Sequence, residues 1–169
     1  DKAIELAQST LNKFKELECY QNSNIGPMPG ILVKLGLETN EQIDNEIKGI
    51  NDSSTYIKSK TKYSDFKLEM LKYMTEKYFN ENYSQYKNID SYVAFCNCAG
   101  GIIPISYQNL KFIKNDNISY QFTVIVRDEE MYEHYLAGEN LNSTEYEFKY
   151  NIIFEYVNKN MVISSINPA

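Results

Sequence analysis

Between Glu145 and Val157 apolar and polar residues alternate with a period of two. Tyr146, Phe148, Tyr150, Ile152, Phe154 and Tyr156 fall on one side, and Glu145, Glu147, Lys149, Asn151 and Glu155 on the other. Ile153 and Val157 are the exceptions. Strand side chains point to opposite faces in turn, so the stretch predicts a strand with one buried and one wet face. At ~3.4 Å per residue it runs roughly 40 Å, longer than most strands. A strand of that length implies a strongly bent antiparallel sheet whose concave side is covered by helices.

The helices precede it. Ile4, Ala7, Leu11 and Phe14 recur at three and four residues, with Lys and Glu between them, which predicts an amphipathic helix over 1–18. Asn22–Gly30 reads as a loop from its Gly and Pro content, and 31–37 as a short helical turn broken at Gly36. Thr39-Asn-Glu-Gln42 is a capping box that opens a second helix carrying Ile43 and Ile47 and stopping near Gly49. Tyr56 and Ile57 suggest a short edge strand. A third helix is expected from Ser64, its N-cap, to about Asn82, with Asp65 in its first turn. Phe66, Met70, Tyr73, Met74, Tyr78 and Phe79 form its broad apolar stripe.

From Asp90 onward the pattern is that of strands. They are expected at Tyr92–Cys98, Ile105–Lys114, Ile118–Arg127, the long one already described, and Met161–Ile166. Turns fall at 115–117 and 158–160, and 128–144 is a polar loop containing Gly138. Helices followed by a run of antiparallel strands is an α+β layout. No internal repeat or second core is visible, so residues 1–169 read as one domain.

Composition narrows the function classes. Apolar residues make up 43% and charged residues 24%, as in an ordinary soluble domain. The 15 Tyr, 8 Phe and absence of Trp favour a Tyr-rich core over an aromatic ligand cage. The net charge is −6 and Arg127 is the one arginine, which disfavours nucleic acid as a partner. No apolar run approaches the ~18 residues of a membrane helix, so no membrane span is expected in this chain. The start at Asp1 suggests a trimmed chain, with any signal peptide or anchor upstream.

Candidate chemistry is sparse. Cys96 and Cys98 are too close for the usual zinc knuckle, and His134 is far from both. Both cysteines share a strand face, so either could meet Cys19 in a disulfide if the domain is exported. Three reduced, partly buried thiols is the reading favoured over it. His134 could form a proton-transfer pair with Glu130 or Glu133, but a lone His in an acidic loop reads first as a solvated residue. Asp128, Glu129, Glu130 and Glu133 lack the spacing of a calcium loop. Ala99-Gly100-Gly101 lacks the Lys and the spacing of a phosphate loop. Strand positions expected to face inward are aromatic or aliphatic, so no general base, catalytic residue, metal site or cofactor is expected.

The three helices, the third long and aromatic, and the closing hairpin with Met-Val-Ile-Ser-Ser-Ile (161–166) resemble the nuclear transport factor 2-like superfamily. The chain looks most like its small exported members in bacterial lipoproteins and envelope proteins. The resemblance implies three N-terminal helices packed on a strongly curved, cone-like sheet. It also implies a cavity between sheet and helices, lined by Phe66, Met70, Tyr73, Tyr120, Phe122, Phe148, Tyr150 and Phe154. The superfamily contains isomerases and dehydratases as well as binding and assembly domains, so fold leaves function open.

The expected function is therefore a non-catalytic binding or assembly domain of a bacterial cell-envelope protein, extracytoplasmic, with a protein partner. The alternative is a small-molecule binder or enzyme that uses an aromatic-lined cone for a small apolar ligand. A domain of a conjugation or secretion machine is a third reading, since the superfamily resembles an extracytoplasmic domain of a type IV secretion assembly factor.

Overall fold

The computed structural model describes residues 2–18, 27–48, 56–96, 102–114, 118–128, 134, 136–139 and 145–169, with the strands at 102–114 and 118–128 described by their backbone. The expected turn at 115–117, much of the 128–144 loop, and Cys19, Cys98 and 99–101 lie outside the described residues.

The chain folds as an α+β protein. In order it forms α1 (Lys2–Glu18), α2 (Pro27–Lys34), α3 (Asn40–Lys48), β1 (Tyr56–Lys62), α4 (Tyr63–Met70) and α5 (Glu76–Asn82). Then follow β2 (Lys87–Ile89), β3 (Tyr92–Cys96), β4 (Ile102–Lys114), β5 (Ile118–Asp128), β6 (Glu145–Val157) and β7 (Asn160–Pro168). Two antiparallel sheets result, ordered β1-β3-β2 and β4-β5-β6-β7. Among the described residues no helix is long and apolar enough to cross a membrane.

The amphipathic reading of α1 holds: Ala7, Leu11, Phe14 and Leu17 are all buried. Burying one such Leu stabilises the fold by about 2 kcal/mol. Thr10 shares the buried stripe because its hydroxyl donates to the Met161 carbonyl at 2.6 Å, tying α1 to β7.

The 22–30 loop gives way to helix at Pro27, a residue preorganised for the first helical position. The helix ends where expected. Gly36 has φ +75°, Leu37 N–H donates to Leu32 C=O and Gly36 N–H to Val33 C=O, both at 2.9 Å. That is a Schellman close, which needs a left-handed residue. The capping box of α3 forms in both directions. Thr39 N–H donates to Gln42 Oε1 at 2.8 Å, and Gln42 N–H to Thr39 Oγ1 at 3.2 Å.

The third helix is not continuous. It begins at Tyr63 with Lys62 as N-cap and no side-chain cap bond, so Ser64 does not cap it. It then breaks across 71–75. Ile163 N–H donates to Tyr73 C=O at 2.9 Å, and Thr75 N–H donates to Ile163 C=O at 2.8 Å. These bonds to β7 replace intrahelical ones at the break. Thr75 restarts the helix by accepting from Tyr78 N–H at 3.1 Å. The stripe survives the interruption: Phe66, Met70, Met74, Tyr78 and Phe79 all remain buried.

β2 was not expected; three residues are too few to show alternation. It pairs with β3 through a two-residue turn at Asp90 and Ser91, with φ 53° and 76°. Asn158 and Lys159, φ 50° and 64°, make the equivalent turn between β6 and β7. Positive φ at both central residues matches the right-handed strand twist.

β6 spans the predicted residues, and its alternation is partly honoured. Ile152 and Phe154 are buried, while Tyr146, Phe148 and Tyr156 on the same side are exposed. One core includes Leu11, Phe14, Ile43, Phe66, Phe79, Phe95, Ile152, Phe154 and Ile163. Cys96 is disulfide-bonded, which corrects the favoured reading of three reduced thiols.

Phe66 and Phe148 offer a contrast. Phe66→Ala is expected to cost about 3–5 kcal/mol, because it opens a cavity in a closed core. Phe148→Ala should cost less, about 1 kcal/mol, because its side chain is already 42% exposed. Urea unfolding of both variants checks this, and similar losses would contradict the placement of the core.

Candidate functional site

α1 ends at Glu18, and the aromatic residues of α4, α5 and the following segment gather beside it. Phe66 contacts Phe79 edge-on at 5.7 Å and Tyr86 at 5.2 Å between ring centroids. Phe79 stacks on Tyr83 at 5.7 Å and 13°, and Tyr83 on Tyr86 at 6.2 Å and 30°. Tyr78 meets Tyr83 edge-on at 6.4 Å. Helical spacing accounts for one pair, since Phe79 and Tyr83 lie four residues apart along α5 and its C-cap, whereas Phe66 comes from the separate helix α4. The Tyr83 C-cap backbone N–H bonds back to Phe79 C=O at 3.0 Å, which holds the two rings in register.

The polar centre of this cluster is the Glu18 carboxyl, which accepts a hydrogen bond from the Tyr83 hydroxyl. Burial pushes the Glu18 carboxyl above its ordinary value; the Tyr83 hydrogen bond and the Lys34 ammonium pull the other way. Lys34 is itself held by the Leu17 C=O at 3.4 Å. Burial, followed by the Glu18 charge, raises the phenols of Tyr78, Tyr83 and Tyr86. All three therefore keep their protons at neutral pH. Chemically, the cluster holds a carboxyl that keeps its proton to a higher pH than a free glutamate, with a phenol positioned to donate to it.

Sequence reasoning missed Glu18. It closes a helix whose Lys and Glu residues otherwise mark the wet face, and the tyrosines that surround it lie some 65 residues on. No local pattern signals such a meeting.

The eight residues expected to line a cavity are dispersed. Phe66, Met70 and Phe154 are closed into the core. Tyr73 and Tyr150 pack against it, partly buried. Phe148 is 42% exposed and lies 6.5 Å from Tyr150 between ring centroids. Tyr120 and Phe122 take register positions opposite Ile152 and Tyr150; their side chains lie outside the described residues.

His134 Nδ1 lies 3.0 Å from Glu139 Oε2, both exposed, so its acidic neighbour is Glu139; Glu130 and Glu133 lie outside the described residues. Among the described residues no three His, Cys, Asp or Glu side chains gather as a metal-ligand set.

No family model, curated protein or solved structure matches the chain.

Glu18 carries a pH signature. Its folded pKa lies above the ordinary 4.5, so its stabilising contribution is complete below that value and is lost as pH rises through the folded value. Glu18→Gln should therefore gain stability relative to the native chain as pH rises above the ordinary 4.5. Tyr83→Phe should raise the Glu18 pKa further, as read by carbon NMR of the carboxyl. A pH-independent difference, or a falling pKa, would contradict the pairing.

Proposed function

We propose that this chain is a non-catalytic binding or assembly domain of a bacterial cell-envelope protein. In this reading it is a single cone-like domain of the nuclear transport factor 2 type, spanning residues 1–169 and working outside the cytoplasm. The observation that carries the binding role is on β6. Its core-facing side continues past the packed residues Ile152 and Phe154 into Phe148 and Tyr146, which are 42% and 39% exposed. The pairing register sets Val124 and Val126 of β5 opposite them. Large aromatic residues left open on a sheet face are what a protein partner buries.

The Cys96 disulfide supports the extracytoplasmic part of the reading, because such bonds persist in oxidising compartments. The acidic charge of −6 disfavours nucleic acid as the partner.

A second reading has its own observation. The Glu18–Tyr83 pair offers a proton-exchanging carboxyl beside stacked rings, which suits a small-molecule binder or an enzyme. Under it, native mass spectrometry finds a retained ligand that Tyr83→Phe or Tyr150→Phe weakens.

A photo-reactive residue at position 148, in intact cells, distinguishes the two. The binding-domain reading expects one discrete adduct, lost on Tyr146→Asp, and none from the exposed Leu68 on α4. It also expects Cys96 to resist thiol labels until reductant is added. Absence of a position-specific adduct, with ligand mass retained on the purified protein, would replace this reading with the second.

A further inference from the structure

Two glutamates missed by the sequence reading converge on one backbone amide. β1 is an edge strand, and its pairing with β3 is irregular between Lys58 and Lys62. Within that gap Lys60 N–H donates to Glu38 Oε1 at 3.0 Å and to Glu46 Oε1 at 3.1 Å. Glu38 sits in the α2–α3 connection and is 6% exposed; Glu46 lies on α3. The remaining oxygens, Glu38 Oε2 and Glu46 Oε2, are both buried and accept no hydrogen bond from any protein donor.

Two ionised carboxylates cannot stably share one donor while their other oxygens are buried and unpaired. One proton shared between the two carboxyls, which lie within hydrogen-bonding reach of each other, resolves both defects. It converts one acceptor into a donor and removes the like-charge repulsion.

We propose that Glu38 and Glu46 form a one-proton latch, which holds α3 and the α2–α3 connection against the edge of β1 at acidic pH and lets that edge open as pH rises.

Several of the charges around the pair have partners of their own. Lys60 is the cation whose charge acts on Glu46, and it opposes proton retention. On α3, Asp44 and Lys48 are paired with each other at 2.8 Å. On β1, Lys58 is paired with Asp90 at 3.3 Å, and Lys62 is exposed. On α2, Lys34 is held by the Leu17 C=O. Glu41, in the first turn of α3, is exposed. Burial, followed by the hydrogen bond and charge of Glu38, pushes the Glu46 carboxyl up to about 7.

The sign follows from linkage. The closed state holds its proton to about pH 7, whereas a solvated carboxyl releases it near 4.5. The open population should therefore rise about tenfold per pH unit between those values and level off above them.

Amide exchange of the native protein tests this, corrected for intrinsic base catalysis. Protection at Lys60 N–H is expected to fall about tenfold per unit from pH 5 to 7, then flatten. Ile152 N–H, on the other sheet, should keep its protection over the same range. Glu46→Gln carries a permanent donor, so its Lys60 protection should not change with pH. Glu38→Gln serves the same purpose if that variant folds poorly. Constant protection of Lys60 in the native chain would overturn the proposal. So would an equal loss at Ile152, which would mean global rather than local opening, or an unchanged pH profile in both variants.

Discussion

The rest of the structure depends on how the edge of β7 is satisfied. An edge strand presents unpaired N–H and C=O groups, and leaving them buried or open to another chain is costly. Here Ile163 uses its N–H and C=O on Tyr73 and Thr75, in a short parallel bridge through Met74. Met161 gives its carbonyl to Thr10 of α1 at 2.6 Å, and Asn160 donates to the Lys72 C=O at 3.0 Å. One strand therefore ties α1, the α4–α5 turn and the four-stranded sheet into a common core. The same bonds account for the break between α4 and α5, because a carbonyl and an amide given to β7 are lost to the helix. The aromatic stack around Glu18 follows in turn: α5 restarts at Thr75, and its rings then reach the end of α1.

Much of the fold was legible because it is local. The 3.6-residue stripe of α1, the Thr39–Gln42 box, the left-handed stop at Gly36 and the period-two run of β6 each depend on residues a few positions apart. Part of what escaped is set by distant partners. The 64–82 stripe reads as one helix until Ile163 is brought beside it. β2 is too short to show a period and exists because β3 offers it an edge. The opening of the β6 aromatic face is likewise a matter of coverage. Tyr146 and Ile152 have the same place in the alternation, yet one is 39% exposed and the other fully buried.

The acids follow the same rule. Of the glutamates that stand out in the sequence on β6, Glu147 and Glu155 are exposed. Those with altered environments are Glu18, buried beside Tyr83, and Glu46, half-buried against Glu38. Both belong to amphipathic helices, where a glutamate ordinarily marks the solvent side. Each becomes notable because a second segment covers it: the Tyr83 region over Glu18, and β1 with Glu38 over Glu46. The aromatic residues named for a cavity show the converse. Phe66, Met70 and Phe154 fit the periodicities that marked them, and those periodicities also describe a packed core.

The joining of the two layers through β7 is tested most directly by native-state hydrogen exchange at the Thr75 and Ile163 amides, compared with those of the β5–β6 ladder. If β7 is the seam, both amides should exchange as slowly as the ladder and lose protection together with it as denaturant is added. Rapid exchange at Thr75 and Ile163, while the ladder stays protected, would contradict that role.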